Sequence, residues 1–209
     1  MWILYAFGSA FFAGLTAVLA KCGIEHTNSH LATALRTIVV LIFSWIMVGI
    51  VGSFDTIHTI THKTFLFLIL SGISTGASWL CYFKALQLGN INKVTAVDKT
   101  SVVLTIILSL IFFKESVTVY KIIGMISLTT GTYLMVEKKE DNKQTSNVWL
   151  LYAVLSVVFA SLTTILGKIG ITNIESNLGT AIRTSVVLVM SWIVVFVTHS
   201  QMNMKSIPK

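Results

Sequence analysis

The sequence predicts an all-α fold, a polytopic transmembrane helix bundle of about seven helices built from inverted five-helix repeats. Three observations carry this expectation. Of 209 residues, 55% are hydrophobic and 11% charged, against roughly 25% charged in a soluble domain. The apolar residues fall in uninterrupted runs close to the ~20 residues that cross ~30 Å of hydrocarbon. The opening segment of the chain also recurs near its end.

The runs are residues 2–23, 31–51, 64–88, 94–113, 119–136, 148–171 and 178–197. In hydrocarbon a backbone must satisfy its own hydrogen bonds, so runs of this length are helices despite their valine and isoleucine content. The first lacks the basic leader and small-residue cleavage site of a signal peptide, which makes it a retained span. Polar residues 25–30 separate it from the second, and residues 53–63 separate the second from the third. Gly72 and Gly76 on the third run allow close helix packing, and Gly124 and Gly131 punctuate the fifth. Thr118 can cap the fifth helix, with Glu115 as a boundary residue beside Lys114. Residues 137–147, EKKEDNKQTSN, hold no apolar side chain and read as a solvated linker. The sole proline, Pro208, lies outside every run, so no proline kink is expected.

Residues 2–53 align without gaps on residues 149–200, with roughly half the positions identical. The matches include polar positions that hydrophobic composition would not align: Ser9 with Ser156, Thr16 with Thr163, Lys21 with Lys168, Arg36 with Arg183 and Trp45 with Trp192. The chain therefore divides into residues 1–137, a complete five-helix unit, residues 138–147, a polar linker, and residues 148–209, a partial second unit of two helices. An odd number of spans per unit turns the second copy upside down relative to the first.

The formal net charge of +7 does not indicate a nucleic-acid partner, because the 15 Lys and Arg residues are scattered at the ends of apolar runs. Cys22 and Cys81 imply no disulfide framework. His58 and His62 lack a third convincing ligand, so no metal and no cofactor is expected. No nucleophile triad, phosphate loop or paired carboxylate lies in or beside the spans, which speaks against an enzyme and against ATP-driven transport.

Residues 79–118, WLCYFKALQLGNINKVTAVDKTSVVLTIILSLIFFKESVT, followed by the glycine-spaced KIIGMISLTTGTYLM, resemble the EamA-type unit of the drug/metabolite transporter superfamily. The aromatic-Lys-Ala-Leu turn at residues 82–86, the polar hinge after it, Phe113-Lys114-Glu115 and the fifth-helix glycines carry the match. The resemblance implies two inverted units around a central substrate cavity, in a multi-pass protein of the plasma membrane. It implies a secondary transporter, an exporter of small metabolites or drugs working by alternating access. The lipid bilayer and a small-molecule substrate are the expected partners, and a homodimer or a partner chain would complete the second unit. A non-transporting subunit that needs such a partner, or a truncated inactive fragment, is the alternative.

Charged groups inside apolar helices cost roughly 2.5–3.5 kcal/mol each at the span centre, so they are partnered, near an end, or functional. Lys21 suits snorkelling at the interface. Arg36, set deeper between Thr33 and Thr37, suits a cavity. The candidate cavity residues are Arg36, Ser78, Trp79, Tyr82, Lys84, Asp98 and Lys99. Arg36 and Lys99 would attract a carboxylate-bearing metabolite, and Trp79 and Tyr82 would supply flat walls. Asp98 and Lys99 point about 100° apart on a helix, so Asp98 is expected to meet another helix, for example at Lys84 or Arg36.

Overall fold

The computed structural model describes residues 2–24, 28–114, 118–135, 148–171 and 174–198. They form α1 (Trp2–Ile24), α2 (Ser29–Val51), a 3-10 turn (Ser53–Thr59), α3 (His62–Leu88), α4 (Ile91–Phe113), α5 (Val119–Met135), α6 (Val148–Gly170) and α7 (Ser176–Val197). All seven expected helices are present, and no strand occurs among the described residues. Six are long and apolar enough to cross a membrane; α5 is shorter, at 17 residues. The linker 138–147, Glu115 and the chain beyond residue 198 lie outside the described residues.

Several helices begin two or three residues upstream of their apolar runs, and the cause is capping. The Asn28 side chain accepts from the His30 N–H at 2.9 Å, and the Asn90 side chain accepts from the Asn92 N–H at 2.9 Å. A satisfied first turn lets a helix start in polar sequence. The break after α2 is also more ordered than a loop. Gly52, at φ 73°, takes the left-handed conformation that glycine adopts without steric penalty, and its N–H returns to the carbonyl of Gly49. The chain then winds directly into the 3-10 turn.

Glu175, the repeat mate of Asn28, caps α7. It accepts from the Asn177 N–H at 2.7 Å, the Leu178 N–H at 3.1 Å and the Asn177 side chain at 2.9 Å. Ser53, at the far end of α2, donates to it at 2.9 Å. Burial alone would raise its pKa, but these four hydrogen bonds outweigh burial and hold it below the ordinary 4.5. A depressed carboxylate contributes stability that is complete above about pH 4.5 and is lost as pH falls through the folded value. Thermal unfolding in detergent micelles across pH 6 to 3 is therefore expected to show an acid-labile increment that Glu175→Gln abolishes. An identical acid profile in the variant would contradict this assignment.

The Ser53–Glu175 bond joins the end of α2 to the start of α7, so the two helices run antiparallel. Their packing repeats the internal duplication. At one end Leu31, Ala34 and Leu35 meet Trp192 and Val195. At the other, Leu178, Ala181 and Ile182 meet Trp45 and Val48. Each residue of one cluster is the repeat mate of a residue in the other, so the α2–α7 contact has the reciprocal form of a two-fold interface. The inversion expected from the span count is thus present in the packing.

α3 is the centre of the bundle, packed most extensively on α6 and also on α7. Towards α6, the Ser71 hydroxyl donates to the Thr163 carbonyl at 2.9 Å and the Ser78 hydroxyl donates to the Ser156 carbonyl at 3.1 Å. Towards α7, Gly72 lies against Val186 and the carbonyl of Arg183, and Gly76 lies against Met190. Hydroxyls on one face and glycines on the next let α3 approach two helices closely where no hydrophobic effect drives association.

α1 differs from its mate α6, being exposed along most of its length. Its firm tie is at one end, where the Lys21 ammonium donates to the carbonyls of Leu86 and Gly89 (2.9 Å to Gly89). Lys21 therefore caps the C-terminal end of α3 instead of snorkelling, satisfying carbonyls that lack an intrahelical partner. Charge-assisted bonds of this kind are each worth roughly 1.5–3 kcal/mol. Its mate Lys168 lies over the Phe113 ring, 4.6 Å from the centroid.

Candidate substrate cavity

One polar cavity of about 260 Å³ opens between α1, α2, α3, α4 and α6. α2 contributes Arg36; α3 contributes Ser78, Trp79, Tyr82 and Phe83; α4 contributes Asp98, Lys99 and Ser101. Small residues form the remaining wall, with Ala13, Thr16, Ala17 and Ala20 from α1 and Ala160 from α6. Most of these residues lie within about two turns of the centres of their helices, which places the cavity near the middle of the bilayer.

Other grooves are larger but less suited to a polar ligand. One of about 320 Å³ is lined by Trp45, Ile57, Ile60, His62, Phe65, Leu178 and Ile182. Another of about 560 Å³ runs along α3 and α7 and holds only Ser185 among aliphatic and Met side chains. Neither gathers opposite charges. His62 joins no cluster of metal-binding groups among the described residues, and the His58 side chain lies outside them.

Six of the seven sequence-derived candidates, Arg36, Ser78, Trp79, Tyr82, Asp98 and Lys99, line this cavity together. Lys84 does not. It lies near the C-terminal end of α3, where its ammonium donates to Gln87 Oε1 at 3.1 Å. Nor does Asp98 form an ion pair with Arg36 or Lys84 among the described residues. Its carboxylate accepts instead from the Ser156 hydroxyl at 3.3 Å, and the Ser156 hydroxyl lies 3.3 Å from that of Ser78. A hydroxyl chain thus connects α3, α6 and α4 and ends on the carboxylate.

Arg36 is held by aromatic faces. Its guanidinium carbon lies 4.6 Å from the Trp79 ring centroid and 5.4 Å from that of Phe83. Cation–π contacts give roughly 0.5–2 kcal/mol and leave the guanidinium edge, with its N–H donors, free of any carboxylate. Its mate Arg183 also reaches α3, donating to the Thr75 hydroxyl at 3.2 Å. Thr75 and Trp79 are one turn apart, so the two repeated arginines converge on the middle of α3 from opposite units.

Such a cavity, lined by helices of both repeated units and gathering Arg36, Asp98 and Lys99, is an arrangement that a solute carrier can use. Residues 1–137 match the EamA-like transporter family. The chain belongs to that family. A relative from Sinorhizobium sp, described as "Uncharacterized transporter in cobO 3'region", is 40% identical over 134 residues, which cover 64% of this chain and 95% of the relative. No solved structure matches the chain. The sequence resemblance is thus confirmed at the level of family, and this EamA-like protein is a multi-pass membrane protein of transporter type.

The sequence places Ser101 in one polar patch with Asp98 and Lys99, but does not single out Phe83, the α1 wall of this family member's cavity, or Ser156, whose hydroxyl bonds Asp98. Ser156 and Thr16 stood out only as polar positions matched across the repeat. Phe83 carries no polar signal, and only its place one turn beyond Trp79 could have suggested it.

Proposed function

We propose that this EamA-like protein is a secondary carrier that exports a small carboxylate-bearing metabolite across the plasma membrane by alternating access of its inverted units. The observation that carries the reading is Arg36, a guanidinium held near mid-membrane by Trp79 and Phe83 instead of by a carboxylate. A ligand carboxylate entering the cavity would take its free N–H donors, and Lys99 adds a second positive charge in the same cavity. Trp79 and Tyr82 supply flat apolar surface beside these donors. Such a cavity suits a small metabolite, being slightly below the ~300 Å³ at which drug-sized sites begin.

Counterflow of radiolabelled mono- and dicarboxylate metabolites in proteoliposomes tests this. Arg36→Ala and Lys99→Ala are each expected to slow the transported compound at least tenfold, on the order of 1.4 kcal/mol of lost interaction. Normal counterflow in both variants at equal incorporation would overturn the assignment. The exposure of α1 favours a second reading, a subunit that transports only with a partner. That reading gives no flux from the purified chain alone and flux when the partner is added.

A further inference from the structure

Where α3, α6 and α4 meet beside the cavity, Ser78, Ser156 and Asp98 bring a row of oxygens together. The Ser78 hydroxyl stands 3.1 Å from the Ser156 carbonyl and 3.3 Å from the Ser156 hydroxyl, which in turn stands 3.3 Å from Asp98 Oδ1. All three contacts exceed the ~2.7–2.8 Å at which O–H···O bonds cluster. Each hydroxyl carries one hydrogen and two lone pairs, and an ionised carboxylate only accepts. The Ser156 hydrogen therefore goes to Asp98, and the Ser78 hydrogen goes to the carbonyl, the shorter of its two contacts. No hydrogen is left for the contact between the two hydroxyls, where oxygen meets oxygen lone pair to lone pair. Bulk water does not relieve it, because Ser156 is fully buried and Ser78 is 6% exposed. Paired acceptors beside a carboxylate are the donor set of a hard cation.

We infer that Ser78 Oγ, Ser156 Oγ and Asp98 Oδ1 form a sodium site. A cation of sodium's size, which is close to calcium's, holds oxygens at about 2.3–2.6 Å, so neighbours in its shell lie about 3.3–3.7 Å apart. The two 3.3 Å separations fall at that spacing. Magnesium, at about 2.0–2.1 Å, draws neighbouring oxygens to about 2.9 Å, and the larger potassium ion spreads them further. Calcium matches in size but not in charge, since one carboxylate in a cavity that also holds Arg36 and Lys99 does not balance a dication. The two cationic side chains leave the oxygens accessible. Arg36 is taken up by the Trp79 and Phe83 rings, and Lys99 leaves α4 about 100° away from Asp98 without forming an ion pair with it among the described residues. Ser78 and Asp98 also line the cavity, from which water completes the shell. Sodium bound there neutralises the only acidic side chain within the seven helices and ties α3, α4 and α6 through one ion. Hydroxyl ligands lie outside the histidine spacing from which the sequence predicted no metal.

The test titrates sodium chloride into the full chain in dodecyl maltoside at a fixed alkaline pH, with choline chloride holding the ionic strength, and reads the thermal unfolding midpoint. An ion that binds the folded chain raises that midpoint saturably. Sodium is expected to do so and potassium to need at least tenfold more. Asp98→Asn and Ser78→Ala are each expected to raise the half-effective sodium concentration at least tenfold while leaving the midpoint in choline alone little changed. Binding of radioactive sodium to the parent chain, displaced by unlabelled sodium and not by potassium, gives a second readout if either variant folds poorly. Equal midpoints in sodium and choline with no displaceable sodium would overturn the site, and a sodium response that survives in both variants would place the ion elsewhere. A midpoint that ignores sodium but rises on acidification, and does so only with Asp98 present, would overturn it in favour of a protonated carboxylate. None of these measurements requires transport, so failure here is distinguishable from failure of the carrier reading.

Discussion

Asp98→Asn is expected to reduce transport at least tenfold while leaving the fold intact. Asp98 is the only acidic residue within the seven helices. It sits in the cavity without an ion-pair partner among the described residues, held through Ser156 at 3.3 Å. Asparagine is nearly isosteric and keeps an oxygen that can accept from Ser156, so the substitution removes charge and little else. A carboxylate kept for structure would be missed when the protein is unfolded. One kept for function would be missed when substrate or a coupling cation crosses. Removing an unpaired charge from a low-dielectric site also relieves desolvation, so unfolding stability should stay within about 1 kcal/mol of the parent or rise. Paired measurements of proteoliposome flux and detergent unfolding check this. Unchanged flux, or a large loss of stability with proportionate loss of flux, would show that Asp98 serves the bundle instead.

The second large effect is steric. A Cβ at Gly72 would lie 2.8 Å from the Val186 Cβ and 2.9 Å from the Arg183 carbonyl oxygen. Neither is the end of a flexible side chain, so α3 and α7 must move apart. At Gly76 the nearest atom is the Met190 sulfur, also at 2.8 Å, and a methionine can rotate away. Gly72→Ala is therefore expected to destabilise the protein by about 1–3 kcal/mol, the range for overpacking, and Gly76→Ala by under about 1 kcal/mol. Equilibrium unfolding in mixed micelles with sodium dodecyl sulfate separates the two. Equal losses would mean that the α3–α7 contact is looser than this geometry requires.

The helices were legible because hydrocarbon leaves a run of apolar residues one backbone solution, and the inversion was legible because it follows from an odd span count. The cavity was half legible, and the reason is helix rotation. Ser78, Tyr82 and Phe83 lie within about 100° of Trp79 around α3, whereas Lys84, five residues on, lies about 140° away. A polar residue five positions along is close in sequence and points elsewhere. Asp98 and Ser101 share a face of α4 because they are three apart. Lys21 was read by its position at a helix end, which suits snorkelling. Its true partners, the carbonyls of Leu86 and Gly89, are backbone atoms, and backbone acceptors leave no trace in residue types. Helix starts were misjudged by two or three residues because asparagine and glutamate caps act before hydrophobicity begins.

The Lys21 clasp turns α1 into a lever. Its C-terminal end is pinned to the last turn of α3, while Leu4, about 17 residues away, is a lever arm of roughly 25 Å. A tilt of about 10° around that pivot would displace Leu4 by roughly 4 Å and Ala13, on the cavity wall, by about 2 Å. α3 itself is braced by α6 and α7, so the same rotation leaves Trp79 and the arginine stacked on it in place. The cavity thus has one wall braced by two helices and another, on α1, tied by Lys21 at one end, so a tilt of α1 would change the width of the opening.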